Sequence, residues 1–476
     1  MAELEQLRNQ INQVDERLVA LLKQRFEIVE AVARTKQASG APVFDPTRER
    51  AVLKRVVDLV ANEDYQPAVA QAFTTIMDQA KQLERKKIML TYLTAGESHG
   101  PQGTAIIEGI PAGLAIDVDQ INADLASRQG GYGRGSRQQI EHDQVEILGG
   151  VRHGLTLGSP ITLVVKNRDH AHWSSIMHPT SPATAENTLR KVERPRPGHA
   201  DLVGGMKYRH RDLRNVLERS SARETAIRVA VGNVCKQLLA ALGVTLVGYV
   251  QAIGPVDTDL TKPQTVSEIK DAITQNDLRI LAQDRVAKLH DLIDQTRRAG
   301  DTLGGWIRVV VNGMPAGIGS YVSWDTKLDS QLAAAVMGVN AMKGVSIGDG
   351  FEISRHPGSQ GMDEISHDAD GYHRLSNHLG GLEGGMTNGM PLIINAAMKP
   401  IPTLYKALKT VNVVTKEVEK ASVERSDTTA IVPASIVIEN VVAIELAKAL
   451  TNSFNADNLA RLQEQLAAYR EELRGY

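Results

Sequence analysis

Apolar residues spaced three and four apart open the chain. Leu4, Leu7, Ile11, Val14, Leu18, Leu21, Ile28 and Val32 fall on one stripe, which predicts one long amphipathic helix with a coiled-coil-like seam. Gly40 and Pro42 end it. Asp45-Pro46 then starts a second helix, because Asp caps well and Pro suits the first helical position. Its apolar positions are Val52, Leu53, Val56, Leu59 and Val60. Pro67 opens a third helix through Val69, Phe73, Ile76 and Leu83. Three such helices make a thin core, so the long one is expected to pair with a second copy of itself.

A charged stretch, Leu83-Glu84-Arg85-Lys86-Lys87, closes this pattern, and no Gly/Ser- or Pro-rich linker follows. Residues 1–87 and 88–476 are therefore expected as two closely coupled domains. In the second, short strands alternate with longer helices. Helices are predicted at 119–128, 213–241, 267–273, 285–300, 327–342 and 441–454. Strands are predicted at 104–110, 161–165, 245–253, 306–311, 392–397 and 434–438. This is an α+β pattern without a βαβ repeat.

A length of 476 residues fits two or more domains. The net charge of −2 argues against a general nucleic-acid or membrane-surface binder. A lone cysteine, Cys235, rules out a disulfide framework within the chain and suits a cytoplasmic, reducing compartment. The N-terminus lacks the basic start and apolar run of a signal peptide, and no long uncharged apolar segment suggests a membrane span. All 13 histidines lie between His99 and His378. That step in composition suggests two joined chemistries.

Within the first part, Arg25 interrupts the apolar seam. Lys36 lies eleven residues on, about three turns, so the two cations share a face. They suit an anionic ligand, with Arg48 and Glu49 as further partners. Alternatively, Arg25 fixes the register of the seam, or the lysine snorkels to water. Leu7-Arg8, Val14-Asp15, Leu21-Leu22, Gln24-Arg25, Lys36 and Phe44-Asp45-Pro46-x-Arg48-Glu49 resemble an all-α chorismate mutase over residues 3 to 87. The resemblance implies an intertwined helical dimer. Arg25, Lys36 and Arg48 would hold the carboxylates and ether oxygen of chorismate. Asp45 and Glu49 would meet the ring hydroxyl, and Arg8 would reach in from the partner. Cations would stabilise the negative charge growing on the ether oxygen, with no proton transferred. Where the family often has a glutamine on the third helix, this sequence has Glu84. A glutamate must be protonated to donate there, which predicts a rate that rises toward acidic pH.

Seven clusters carry candidate chemistry in the second part. Gly96-Glu97-Ser98-His99-Gly100 sets an imidazole between glycines at a strand-to-turn junction, as a proton donor or a turn histidine. The run from Arg128 to Arg137 puts three arginines (Arg128, Arg134, Arg137) on a glycine-rich loop suited to phosphate or carboxylate, or to RNA. Arg194-Pro195-Arg196-Pro197-Gly198-His199-Ala200-Asp201 brings a second histidine. Leu217 to Thr225 carries Arg219, Ser220, Ser221 and Arg223 at the start of a long helix, an anion site. Gly380 to Gly389 offers backbone N–H groups. Lys399-Pro400-Ile401-Pro402-Thr403 and Arg425-Ser426-Asp427 complete the set. Metal is not expected: His170, His172 and His178 lack a supporting helical His–Glu pair or cysteine.

Together and in order, from Leu90 to the C-terminus, these clusters closely resemble chorismate synthase. The resemblance implies helices sandwiched between antiparallel sheets and a homotetramer. The reaction would convert 5-enolpyruvylshikimate 3-phosphate to chorismate and phosphate with reduced FMN. Arg128, Arg134, Arg137, Arg196 and Arg223 would hold the substrate. His99 would protonate the departing phosphate, His199 would keep the flavin in its productive protonation state, and Asp427 would accept a proton near flavin N5. Arg219, Ser220, Ser221, Asn340, Ala341, Gly384, Lys399, Pro400, Ile401, Pro402, Thr403 and Arg425 would bind FMN. No NAD(P)H-binding unit is evident, so NADPH would act only through an external flavin reductase. The expected protein is a bifunctional enzyme of aromatic amino acid biosynthesis. The alternative keeps the synthase and makes the helical part a regulatory or oligomerising module.

Overall fold

The computed structural model describes residues 2–39, 46–85, 90–135, 142–259, 265–368, 371–422, 426–454 and 456–476; the side chains of 2–3, 30, 33–39, 46–47, 49, 78–79 and 81–85 lie outside the description. The chain divides into two compact units, Met1–Met89 and Leu90–Tyr476.

The first unit is three helices, Ala2–Ser39, Pro46–Asp58 and Gln66–Arg85. A short 3-10 turn, Glu63–Tyr65, precedes the third, with the Asn62 side chain accepting from Asp64 N at 3.1 Å. Among the described residues of this unit only Met77 and Ala80 are buried. The seam residues Leu4, Leu7, Ile11, Val14, Leu18, Leu21 and Ile28 stay 49–62% exposed. Half-exposed as they are, they leave much of the hydrophobic gain of the long helix unrealised among the described residues.

The second unit is a sandwich. Its first sheet is antiparallel, in the order Thr91–Ala95, Gln102–Glu108, Ile161–Lys166, Val145–Gly149. The second runs Met342–Ile347, Leu392–Met398, Gly305–Asn312, Thr245–Ile253, with Val256–Asp257 at its edge. Helix Thr225–Ala241 packs on the first sheet, helix Ile431–Ser453 packs on the second, and the two helices pack on each other. They cross at Gly232, where a Cβ would stand 2.4 Å from Asn440 Cβ.

Two expectations need correction. The predicted strand at 434–438 is part of the helix Ile431–Ser453. Nearly every residue of that helix is buried, so it has no polar face to give a 3.6-residue rhythm, and its β-branched run reads as strand. The predicted helix 213–241 breaks at Ser221, which is extended (φ −67°, ψ 143°) and accepts from Arg223 N.

The second unit also contains a repeat. Pro111-Ala112-Gly113-Leu114 and Pro315-Ala316-Gly317-Ile318 are each pinned by one threonine. Thr156 Oγ1 donates to Pro111 O at 2.6 Å and accepts from Leu114 N at 2.9 Å. Thr387 Oγ1 does the same for Pro315 O (2.6 Å) and Ile318 N (2.9 Å). The two four-strand orders correspond one for one. Among the described residues no helix is long and apolar enough to cross a membrane.

Candidate functional site

A cavity of about 510 Å³ collects most of the clusters of the second unit. Arg128, Arg134, Arg196, Arg223 and Lys399 line it, with Asp427 as the only carboxylate among its described lining residues. His199, Ser220, Ser221, Asn340 and Ala341 also face it, as do Ile401, Pro402 and Thr403.

Buried acids hold these cations in place. Arg128 donates through Nε to Thr225 Oγ1 at 3.0 Å and through Nη2 to Ala222 O at 2.9 Å. Burial, together with the nearby Arg223, pushes its guanidinium down to about 9, against the pull of Asp143. The Asp143 side chain has no exposed surface and takes both Arg223 Nη1 (2.5 Å) and Nη2 (2.7 Å). Arg134 pairs with Asp427, whose other oxygen accepts from Gly135 N at 2.6 Å. The Arg134 Nε is buried without a hydrogen-bond partner among the described residues. Arg196 donates Nε to Asp201 Oδ2 at 2.9 Å and Nη1 to Thr403 Oγ1 at 3.0 Å. Lys399 Nζ donates to Gly198 O at 2.9 Å; burial, with Lys343 and Arg196 nearby, lowers its pKa. Ala341 holds φ at 69°, a left-handed angle uncommon outside glycine, beside the cavity.

Not every expected residue lines it. His99 is 9% exposed and outside the lining. Its partner Glu218 lies on helix Arg214–Ser220, whose Leu217 and Ser220 do line the cavity. Gly96, at φ 120°, allows the turn: a Cβ there would stand 2.4 Å from Gln102 O. Asn167 Nδ2 donates to Gly100 O at 2.7 Å, and its Oδ1 accepts from Arg223, tying this turn to the cationic wall. Arg219 donates to Thr94 O and Gly96 O rather than into the cavity. Pro400 and Gly384 are also outside the lining, and Gly384 sits in the hairpin Leu382–Glu383/Met386–Thr387. Arg137 and Arg425 lie outside the described residues. Sequence reasoning missed Asp143, Asn167, Trp173 and Glu218; each acts through a partner far along the chain.

The family model described as chorismate synthase matches residues 90–451, most of the chain. The chain belongs to the chorismate synthase family. A chorismate synthase of Limosilactobacillus fermentum is 99% identical over 388 residues, 82% of this chain and 100% of that protein. One of Lactiplantibacillus plantarum is 69% identical over 391 residues, 82% of this chain and 100% of that protein. A solved structure titled "Crystal Structure of Chorismate Synthase" aligns with TM-score 0.66 and 38% identity, covering 82% of this chain and 99% of that one. The model described as chorismate mutase type II matches residues 7–85, ahead of the chorismate synthase region.

In that helical unit Arg25 is half-buried, and its Nη1 is buried without a partner among the described residues. Arg8 and Arg48 are exposed. Asp45 and the side chains of Lys36, Glu49 and Glu84 lie outside the description.

Proposed function

We propose that the chain makes chorismate and then consumes it. In the second unit, phosphate is eliminated from 5-enolpyruvylshikimate 3-phosphate. The observation that carries this reading is the cavity, five cations over one carboxylate, in a member of the chorismate synthase family. The substrate brings two carboxylates and a phosphate, which arginine forks bind well. Arg128, Arg134, Arg196 and Arg223 hold it, with Arg137.

The residues also fit FMN. The Arg134 Nε, without a partner among the described residues, suits an anion, and Val339, Met398 and Val437 offer an apolar wall to a flat ring. Ser220, Ser221, Asn340, Ala341, Lys399 and the 401–403 segment would hold it, with Arg219, Gly384, Pro400 and Arg425 as outer contacts. Bound and reduced, the flavin supplies the electron density that this elimination requires. His99 gives a proton to the leaving phosphate. His199, held by Asp201, would keep a bound flavin in its productive protonation state, and Asp427 would accept a proton near flavin N5. Reduced flavin comes from an external NADPH-dependent reductase, and the enzyme works as a cytoplasmic homotetramer.

In the helical unit chorismate rearranges to prephenate. Arg25 Nη1, without a partner among the described residues, favours an anion there. Lys36 and Arg48 complete the cation set, Asp45, Glu49 and Glu84 meet the remaining oxygens, and Arg8 comes from a partner copy.

One anaerobic assay tests both halves. Supplied with 5-enolpyruvylshikimate 3-phosphate and reduced FMN, the protein should yield prephenate above the uncatalysed background. Chorismate alone would leave a working synthase with a silent or regulatory helical domain. No chorismate would refute the synthase reading.

A further inference from the structure

We infer that Glu218 and Trp173 are positioning residues that hold the His99 ring with Nε2 free to meet substrate; this rests on the reading of His99 as proton donor. Glu218 grips His99 twice. Its Oε2 accepts from the His99 backbone N at 2.8 Å, and Oε1 and Oε2 lie 2.9 and 3.1 Å from Nδ1. An ionised carboxylate only accepts, so Nδ1 carries the proton in this pair. Among the described residues Nε2 has no hydrogen-bond partner; in the imidazolium it carries the second proton, and giving that proton to the departing phosphate leaves the neutral ring protonated on Nδ1.

Glu218 is suited to stay ionised. It is 3% exposed. Burial pushes its carboxyl up, but hydrogen bonds from the His99 ring and backbone and from Arg214 hold it below its ordinary value. Trp173 fixes the plane of the imidazole. Its ring stacks on His99 at 3.8 Å with an interplanar angle of 26°. The Arg190 guanidinium carbon lies 3.9 Å from the Trp173 ring centroid, and that of Arg214 lies 5.0 Å away. Such cation–aromatic contacts favour one ring orientation. Arg214 joins the two devices, since it donates to Glu218 Oε1 at 3.2 Å and to Arg190 O at 2.5 Å. His170 Nδ1 lies 2.9 Å from His99 O and closes the clamp on the backbone side. The indole N–H of Trp173 is buried without a partner among the described residues, so packing rather than a hydrogen bond sets this side chain.

A proton donor gains rate from orientation, because the proton must lie on line with the departing oxygen. The test compares Glu218→Gln, Glu218→Asp, Trp173→Ala and Trp173→Phe with His99→Ala in anaerobic steady-state assays. Glu218→Gln should lower kcat on the order of 100-fold with KM and FMN affinity within about threefold, and Glu218→Asp should recover part. Trp173→Ala should lower kcat about tenfold, and Trp173→Phe should restore most of it. Nitrogen-15 spectra of histidine-labelled protein, with His99 assigned by its loss in His99→Ala, should put the proton of the neutral ring on Nδ1. Glu218→Gln should move it to Nε2.

Near-native kcat in Glu218→Gln and Trp173→Ala, beside a large loss in His99→Ala, overturns the positioning role and leaves the proton-donor reading intact. A neutral wild-type ring protonated on Nε2 overturns it without any variant. Near-native turnover in His99→Ala overturns both.

Discussion

Asp201 Oδ1 lies 2.5 Å from His199 Nδ1, and its Oδ2 accepts from Arg196 Nε at 2.9 Å. One fully buried carboxylate thus anchors both an imidazole and a guanidinium of the cavity wall. Burial pushes this carboxyl up, yet the bonds from His199 and Arg196 leave it far below its ordinary value. The stability it contributes is complete above the unfolded value of ~4 and is lost as pH falls toward the folded one. Asp201→Asn should therefore cost ~3 kcal/mol near neutrality and flatten the acid side of the stability profile. Urea midpoints from pH 3 to 7 give the comparison; an unchanged acid limb refutes the assignment.

Asp143 and Asp427 offer a graded contrast. The first has no exposed side-chain surface and serves Arg223 and Arg128; the second is 24% exposed and serves Arg134. Removing a buried counter-charge strands the cation it served, at about 3–5 kcal/mol. Asp143→Asn should approach that loss, and Asp427→Asn should show less than half of it while abolishing chorismate formation. Equal shifts in urea midpoint would contradict the burial argument.

For the helical unit, Arg25→Ala should cut prephenate formation at least about 100-fold, the scale of a lost charge stabiliser, with chorismate synthesis unchanged. Wild-type mutase rate should rise toward acidic pH, and Glu84→Gln should flatten the profile between pH 5 and 8. Product analysis at each pH decides; an alkaline optimum would sink the role of Glu84.

The exposed seam gives a further expectation. Ile11→Lys with Leu18→Lys puts charge on a stripe that is otherwise about half exposed. If a second copy covers that stripe, the double variant loses prephenate formation and the unfolding step of the helical unit, and keeps chorismate synthesis. Unchanged melting and unchanged prephenate would place the seam in solvent.

The helical unit was legible because its apolar spacing and Pro/Gly stops are local signals. The arginine- and glycine-rich clusters were legible for the same reason, and the cavity gathers most of them. What stayed hidden acts at long range: Glu218 reaches His99 across 119 positions, and Arg223 meets Asp143 across 80. A carboxylate between leucine and arginine in a helix looks like any surface charge until the fold buries it. Within the helix Ile431–Ser453 the stretch 441–454 reads as helix from the sequence, whereas 434–438 reads as strand, because burial on every side erases the periodicity and leaves a β-branched run.

Thr156 and Thr387 hold twin turns in twin sheets. The two halves thus share one strand order and one threonine-pinned turn. Their chemistry is lopsided. His99 follows the first strand of one half, while the matching strand Thr245–Ile253 runs into Gly254-Pro255 with no histidine. Each half is therefore the internal control for the other. Thr156→Val and Thr387→Val should cost similar stability, and any difference in their effect on turnover measures how far the two halves differ in function.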